Sequence, residues 1–215
     1  MRYDRDDAGH RRIATLDIET THYKPTQGET VSIGVGVHER ANPLSAATLD
    51  LFHRRGADDE ATLIGDALAR LEEYEADYLV TFNGRGFDFD FLAGRLDALG
   101  AQRRSPAIDT AETHLDLFHD DRKDLADERG EKWPSLEESL AAYGDHPKQT
   151  TWRGEPLDNA RFGDELGPAY LDAVQSGDSS RAALLRATIT EYLTGDLRAN
   201  LWLYYYDIGA LEPQL

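Results

Sequence analysis

The sequence predicts an α/β fold: a mixed five-stranded sheet, three antiparallel strands followed by two parallel ones, flanked by helices. Three observations predict it. Three β-branched, alternating segments come first, joined by links too short for a crossover connection. Strand and helix patterns then alternate, which favours parallel pairing through right-handed crossovers. The remainder of the chain is helical in pattern.

In order, residues 12–19 read as strand one, within the stretch IATLDIETT. THYKPTQGE carries Pro25 and Gly28 and reads as a loop. Residues 30–39 read as strand two and 46–54 as strand three. DDEATLIGDALARLEEYE sets Leu63, Ala67, Leu68 and Leu71 at helical spacing behind acids that suit a helix N-terminus. DYLVTFN is strand four, FDFDFLAGRLDALG a helix that stops at Gly100, and THLDLF strand five. PSLEESLAAYG opens with Ser135 three residues before Glu138, a capping-box pattern, and stops at Gly144. TTWRGEPLDNARFGDELG reads mostly as loop and GPAYLDAVQSG as a short helix. One long helix is predicted from residue 179 to 208. Gly195 inside it costs roughly 1 kcal/mol relative to alanine, which predicts a close approach to the helix there. Residues 1–11 read as a charged, loosely ordered leader and 12–215 as a single domain.

Composition narrows the function. Lys and Arg number 23 and Asp and Glu 41, a formal charge of −18. The acids are spread along the chain among recurring apolar segments, unlike a disordered acidic tail. The positive charge is nearly all arginine; the lysines are Lys24, Lys123, Lys132 and Lys148. Such an acid-rich, lysine-poor chain resembles proteins of salt-loving archaea, where net charge maintains solubility. At high salt, attraction to phosphate is weak for any protein, so this charge does not exclude a nucleic-acid partner. The absence of cysteine excludes disulfides and thiolate metal sites. No apolar run approaches the ~18–20 residues of a membrane span, and the N-terminus lacks an apolar h-region. The chain is expected to be cytoplasmic, without a membrane partner or a nucleotide cofactor; its oligomeric state is left open.

Side chains alternate along a strand, so Asp17 and Glu19 point one way and Leu16 and Ile18 the other. Two carboxylates beside a core repel each other and resist desolvation, and a cation would offset both. After strand four, Asn83 and two glycines make a tight turn that leads to Asp88 in the first turn of a helix. Ligands gather at the carboxyl ends of parallel strands, where strands one and four would bring Asp17, Glu19 and Asp88 together. Asp88 alone also fits a helix start favoured by the dipole. Tyr192 and Asp196 lie four apart on one helix face, where phenol and carboxylate could serve one metal-bound water. The other Tyr-x-x-x-Asp in view, Tyr3 and Asp7, precedes any strand and is set aside. His114 and Asp116 share one face of strand five, as a polar strand end or as a substrate contact. WLYYY at 202–206 reads as core packing rather than base stacking. Arg54–Arg55 and Arg103–Arg104 read as surface arginines or phosphate contacts.

In this order the motifs resemble those of the DEDD exonucleases of the ribonuclease H-like superfamily. Asp-x-Glu is Asp17 and Glu19, Asn-x-x-x-Phe-Asp is Asn83, Phe87 and Asp88, and Tyr-x-x-x-Asp is Tyr192 and Asp196. The tyrosine subclass fits; the histidine subclass would need histidine where Glu191 stands. More narrowly, DIETT, FNGRGFDFDFL, HLDLF, SLEESLAAYG and YLTGDLRANLWLY resemble the ribonuclease H-like 3′–5′ exonucleases of the YprB type, over residues 12–209. His22 stands where these families commonly carry glycine, in a loop that often helps seat the terminal nucleotide.

The resemblance implies hydrolysis of phosphodiester bonds of DNA or RNA from a single-stranded 3′ end, releasing nucleoside 5′-monophosphates. It implies a two-metal mechanism with Mg²⁺ or Mn²⁺. Asp17, Glu19, Asp88 and Asp196 would be the metal ligands, with Asp17 bridging, and Tyr192 would orient the attacking water. Thr20, Asn83, Phe87 and His114 would contact substrate. Two further readings of the same fold stand beside it: a catalytically silent nucleic-acid-binding or scaffold domain, and a ribonuclease H-like endonuclease.

Overall fold

The computed structural model describes residues 1–211. Its main sheet holds β1 (Arg12–Thr20), β2 (Thr30–Glu39), β3 (Thr48–His53), β4 (Tyr78–Thr81) and β5 (His114–Asp116), in the order β3-β2-β1-β4-β5. β1 and β2 pair antiparallel, as do β2 and β3, whereas β1 with β4 and β4 with β5 pair parallel. This is the mixed sheet the sequence predicts. The helices are α1 (Glu60–Glu73), α2 (Phe89–Ala98), α3 (Lys123–Arg129), α4 (Leu136–Ala141), α5 (Asn159–Arg161), α6 (Gly167–Gln175) and α7 (Ser179–Asp207). A small hairpin of β6 (Thr151–Trp152) and β7 (Glu155–Pro156) turns through Arg153 and Gly154, both at positive φ.

The two-residue period of β1 decides which helices face the acids. Ala14, Leu16 and Ile18 join one buried core with Leu63, Leu71 and Leu92 of α1 and α2. Ile13 joins the other with Leu203 and Tyr204 of α7, and Thr15 Oγ1 accepts the Asn200 amide of α7 at 3.3 Å. Asp17 and Glu19 continue the α7 row. The α7 helix, 29 residues and about 44 Å long, crosses this face. It packs tightly over Gly34 of β2, the register partner of Asp17, where an added Cβ would lie 2.6 Å from Leu197 Cδ1. The close approach expected at Gly195 is therefore at Gly34 instead. A Cβ on Gly195 would meet nothing within 4 Å, because that side of α7 opens onto a cavity beside α4.

Other boundaries depart from the sequence reading for local reasons. The β5 strand is only three residues long, because the Asp116 carboxylate accepts the N–H groups of Phe118 and His119 at 3.1 and 2.9 Å. The chain there bends into a π-helical turn, Leu117–Arg122, and then α3, which the sequence reading did not foresee. The stretch 150–167, read mostly as loop, is the β6–β7 hairpin followed by α5, a π-helical turn at Phe162–Leu166, and α6. Asp158 caps this run by accepting the Arg161 N–H at 2.8 Å, and Phe162 and Leu166 bury against Val31. Two glycines, Gly163 and Gly167, gave it the look of a loop. The capping box is present, with Glu138 N–H to Ser135 Oγ at 3.2 Å and Ser135 N–H to Glu138 Oε2 at 2.9 Å. Gly100 and Gly144 stop their helices at φ 65° and 78°. Tyr204, Tyr205 and Tyr206 are buried in the core.

Residues 1–10 carry no helix or strand, yet they are fastened. The Tyr143 hydroxyl donates to Tyr3 O at 2.7 Å, Arg5 N–H to Asp207 O at 2.9 Å, and the Arg5 guanidinium pairs with Asp121. No helix among the described residues is long and apolar enough to cross a membrane.

Candidate active site

A cleft of about 520 Å³ opens at the carboxyl ends of β1 and β4. Asp17 and Glu19 enter it from β1, Asn83, Phe87 and Asp88 from the turn after β4, and Tyr192 and Asp196 from α7. Carboxylate oxygens of Asp17, Glu19 and Asp196 all lie within 4.8 Å of one another. Some 180 residues of chain separate the first and last of them. The sheet brings them together because α7 packs directly on Gly34 beside Asp17.

Asp88 sits at the end of a π-helical turn, Gly84–Asp88, that begins with Asn83 at φ 67°. That turn is held from below. Both oxygens of the fully buried Asp116 accept backbone N–H groups there, Asn83 at 2.8 Å and Arg85 at 2.9 Å. The glycines are steric requirements: a Cβ on Gly84 would lie 2.3 Å from Thr81 Oγ1, and one on Gly86 2.4 Å from Asn83 Oδ1. The Asp88 carboxylate makes no cap hydrogen bond to α2, and its buried Oδ2 has no hydrogen-bond partner. The three π-helical turns among the described residues each contribute to the cleft wall, with Asp88, Phe118 and Gly163 respectively. Such turns occur often at functional sites.

The electrostatics of this corner run one way. Burial first, then neighbouring acids, push the Asp17, Glu19, Asp88 and Asp196 carboxyls well above the ordinary carboxylate range. Glu19 and Asp88 are 5% and 4% exposed, while Asp17 and Asp196 keep contact with the open cleft. Tyr192 is buried, donates its hydroxyl hydrogen to Asn159 Oδ1 at 2.7 Å, and stacks on Phe162 at 5.9 Å. Burial and the charges of Glu19, Asp196 and Asp17 push its phenol far up, so it stays protonated. The donor set is oxygen throughout, and Asp88 Oδ2 is a buried acceptor with nothing to accept from. Both features fit a hard divalent cation.

Of the residues expected to touch substrate, Thr20, Asn83 and Phe87 line the cleft. His114 does not. It is 2% exposed, with Nε2 2.8 Å from Thr81 Oγ1 and Nδ1 2.6 Å from Asp109 Oδ1, and it joins β4 to the loop before β5. Arg54 is neither a surface arginine nor a phosphate contact. It is fully buried and bonds Glu29, Asp59 and the carbonyls of Gly56 and Ala57. Arg103 is occupied by Asp97. His22 lines the cleft, and its Nδ1 accepts the Lys24 N–H at 3.0 Å, closing the loop that glycine would leave freer.

The sequence reading missed Glu137, Asn159, Phe118, Tyr23, Lys132 and Trp133, which also line the cleft. Glu137 acts on Asp17, Asp196 and Tyr192 as one more negative charge. Its neighbour Glu138 carries the visible capping signal, which drew the reading to the helix start and away from its cleft-facing acid. Asn159 lay in a stretch read as loop. The aromatic residues follow no spacing rule, because two loops and a π-helical turn deliver them.

The profile of the RNase_H superfamily matches residues 14–143. A DNA polymerase of Desulfurococcus sp. (strain Tok) is 29% identical over 94 residues, 42% of this chain and 12% of the polymerase. The chain thus spans only a small part of that relative's length. The family B DNA polymerase of the hyperthermophilic archaeon Pyrobaculum calidifontis superposes with a TM-score of 0.61 at 20% identity. That superposition covers 91% of this chain and 24% of the polymerase.

Proposed function

The chain belongs to the RNase_H superfamily, and from that premise we propose that it is a metal-dependent 3′–5′ exonuclease of the tyrosine DEDD subclass. Its substrate is the 3′ end of DNA or RNA and its products are nucleoside 5′-monophosphates. The observation that carries the reading is the meeting of the Asp196 carboxylate with those of Asp17 and Glu19 inside 4.8 Å. The likeness to segments of two DNA polymerases supports a nucleic-acid substrate.

Asp17, Glu19, Asp88 and Asp196 would hold two divalent cations, Mg²⁺ or Mn²⁺. When bound, the cations supply charge neutralisation, a lowered pKa for the attacking water and stabilisation of the leaving oxygen. The chain does the rest. Asn159 and Phe162 hold the Tyr192 ring, and with its hydroxyl hydrogen given to Asn159 the protonated phenol presents a fixed oxygen acceptor that orients the water rather than acting as a base. Asp116 fixes the Asn83 turn and with it the position of Asp88. Thr20, Asn83 and Phe87 form the wall on which the terminal nucleotide lies.

The test is a time course on oligonucleotides labelled at either end, with and without Mn²⁺. Wild type should release mononucleotides from a free 3′ end and leave a 3′-blocked or circular substrate intact. Asp17→Ala should be slower by at least ~100-fold, a 2.7 kcal/mol rise in the barrier. Cleavage of a circular substrate would point to an endonuclease, and no cleavage under any condition to a silent binding domain.

A further inference from the structure

The cleft has a second chemical character besides its acids. Among the described residues four large apolar side chains are notably exposed: Tyr23 at 66%, Leu99 at 44%, Trp133 at 50% and Leu184 at 75%. Both aromatic ones stand at this cleft. The lysines gather there too. Lys132 lines the cleft, and Lys148 lines an adjoining cavity that shares Glu137, Tyr192 and Asp196 with it. Lys24 Nζ lies 5.3 Å from the centre of the Tyr23 ring, and Lys123 Nζ 5.4 Å from that of Trp133. Of the four lysines of a chain with net charge −18, one thus lines the cleft, one the adjoining cavity, and two stand by aromatic rings that line the cleft. Lys132 and Lys148 are paired with Glu138 and Glu191. Lys24 and Lys123 have no carboxylate partner among the described residues.

We propose that the cleft grips a single nucleic-acid strand at two paired stations, Tyr23 with Lys24 and Trp133 with Lys123. At each, the ring stacks a base and the ammonium holds the neighbouring phosphate. The proposal rests on the exonuclease reading of the carboxylate cluster and adds how the strand is held there. Each ring is half or more exposed and carries an ammonium over it, which puts ring and cation within reach of the two surfaces that a single strand offers, a base and a phosphate. In a duplex the base faces are covered by stacking, so these stations select unpaired ends. Trp133 is already oriented for the task. Its Nε1–H donates to Asp127 at 2.8 Å, and the edge of Phe118 abuts it at 5.9 Å with the rings at 75°. On the other wall, Tyr23 stacks on His22 at 4.5 Å. The strand therefore meets rings that lose little freedom on binding. The local positive charge also answers the objection that so acidic a chain should repel nucleic acid: the repulsion acts over the whole surface, the attraction where the strand lies.

The experiment is equilibrium binding of a 5′-fluorescein oligothymidylate about eight nucleotides long to the full chain in EDTA, across a chloride series, so that no turnover is read. Trp133→Ala should weaken binding about tenfold, as expected for loss of one stacked base. Trp133→Phe should keep most of the affinity, which a merely structural role would not explain. The Lys24→Ala, Lys123→Ala double variant should flatten the salt dependence by about 1.4 in log–log slope, about 0.7 per phosphate contact. Leu184→Ala, remote from the cleft, should bind as wild type. Unchanged affinity in Trp133→Ala together with an unchanged slope in the double variant overturns the proposal. A protein that binds through these residues but never cleaves leaves the stations standing and refutes the exonuclease reading alone. One that cleaves with Mn²⁺ yet binds identically in every variant refutes the stations alone.

Discussion

One helix serves two clusters of buried acid, and the protein treats them oppositely. Near its C-terminal end, α7 presents Asp207, which receives two hydrogen bonds from the fully buried Arg122 at 2.9 and 2.6 Å and one from the Tyr143 hydroxyl at 2.8 Å. Arg5 pairs with Asp121 beside it. Eleven residues earlier, about 16 Å along the axis, α7 presents Asp196 to Asp17, Glu19 and Asp88, where among the described residues no salt bridge reaches any of the four acids. Burial raises the carboxyl pKa in both clusters, and Asp121 still reaches about 6. Only at the first do arginines pull the other way. At the second every influence pushes upward. The same chain also encloses Glu60 at 2% exposure and holds its carboxyl below the ordinary range with two bonds from Arg95. A fold able to neutralise buried acids elsewhere has left four of them without a cation at one corner, and that contrast supports a cation supplied from outside.

The largest effect that would break the comparison is on stability at the paired cluster. Arg122→Ala leaves Asp207 buried without its guanidinium and should cost about 3–5 kcal/mol, read from the urea midpoint at constant slope. A cost below about 1 kcal/mol would mean that the arginine is not what holds that acid. Next comes the cation itself. Mg²⁺ or Mn²⁺ at about 100 times its dissociation constant should stabilise wild type by about 2.7 kcal/mol. Asp17→Asn should lose most of that gain. Equal stabilisation of the two would move the binding elsewhere.

The contrast also explains what was legible in the sequence. The sheet was readable because alternation in 30–39 and strand–helix alternation after it each permit one pairing. That Asp17, Glu19, Asp88, Tyr192 and Asp196 would meet at one cleft was readable because each sits at a position that strand or helix periodicity assigns to a face. Trp133 and Tyr23 were not, since loops carry them and loops have no period; Asn159 was not, since its three-residue helix is too short to show one. For His114, periodicity gave its face and left open a polar strand end or a substrate contact, but did not show that Thr81 and Asp109 were waiting on that face. Gly195 misled because a mid-helix glycine reports space beside the helix without saying whether protein fills it.

The smallest effect is the most discriminating, because it changes sign between the clusters. A carboxyl whose folded-state pKa is raised favours its protonated form on folding. Its contribution is therefore fully present below the unfolded-state value and is lost as pH rises through the folded-state value. For Asp17, Glu19, Asp88 and Asp196 every cause is upward, so in EDTA stability should fall as pH climbs above the ordinary carboxylate range. Asp17→Asn removes one charge from the cluster without changing its shape. It should raise the stability of the metal-free protein at pH 8 by about 1 kcal/mol, a figure kept small because the open cleft admits water that screens the repulsion. It should also flatten the pH slope, while Asp207→Asn, made where arginine already waits, should destabilise. Melting the three proteins in EDTA at pH 5 and pH 8 decides the matter. If Asp17→Asn melts lower than wild type at both, the acids at that corner are held by something within the chain, and the need for an external cation falls with them.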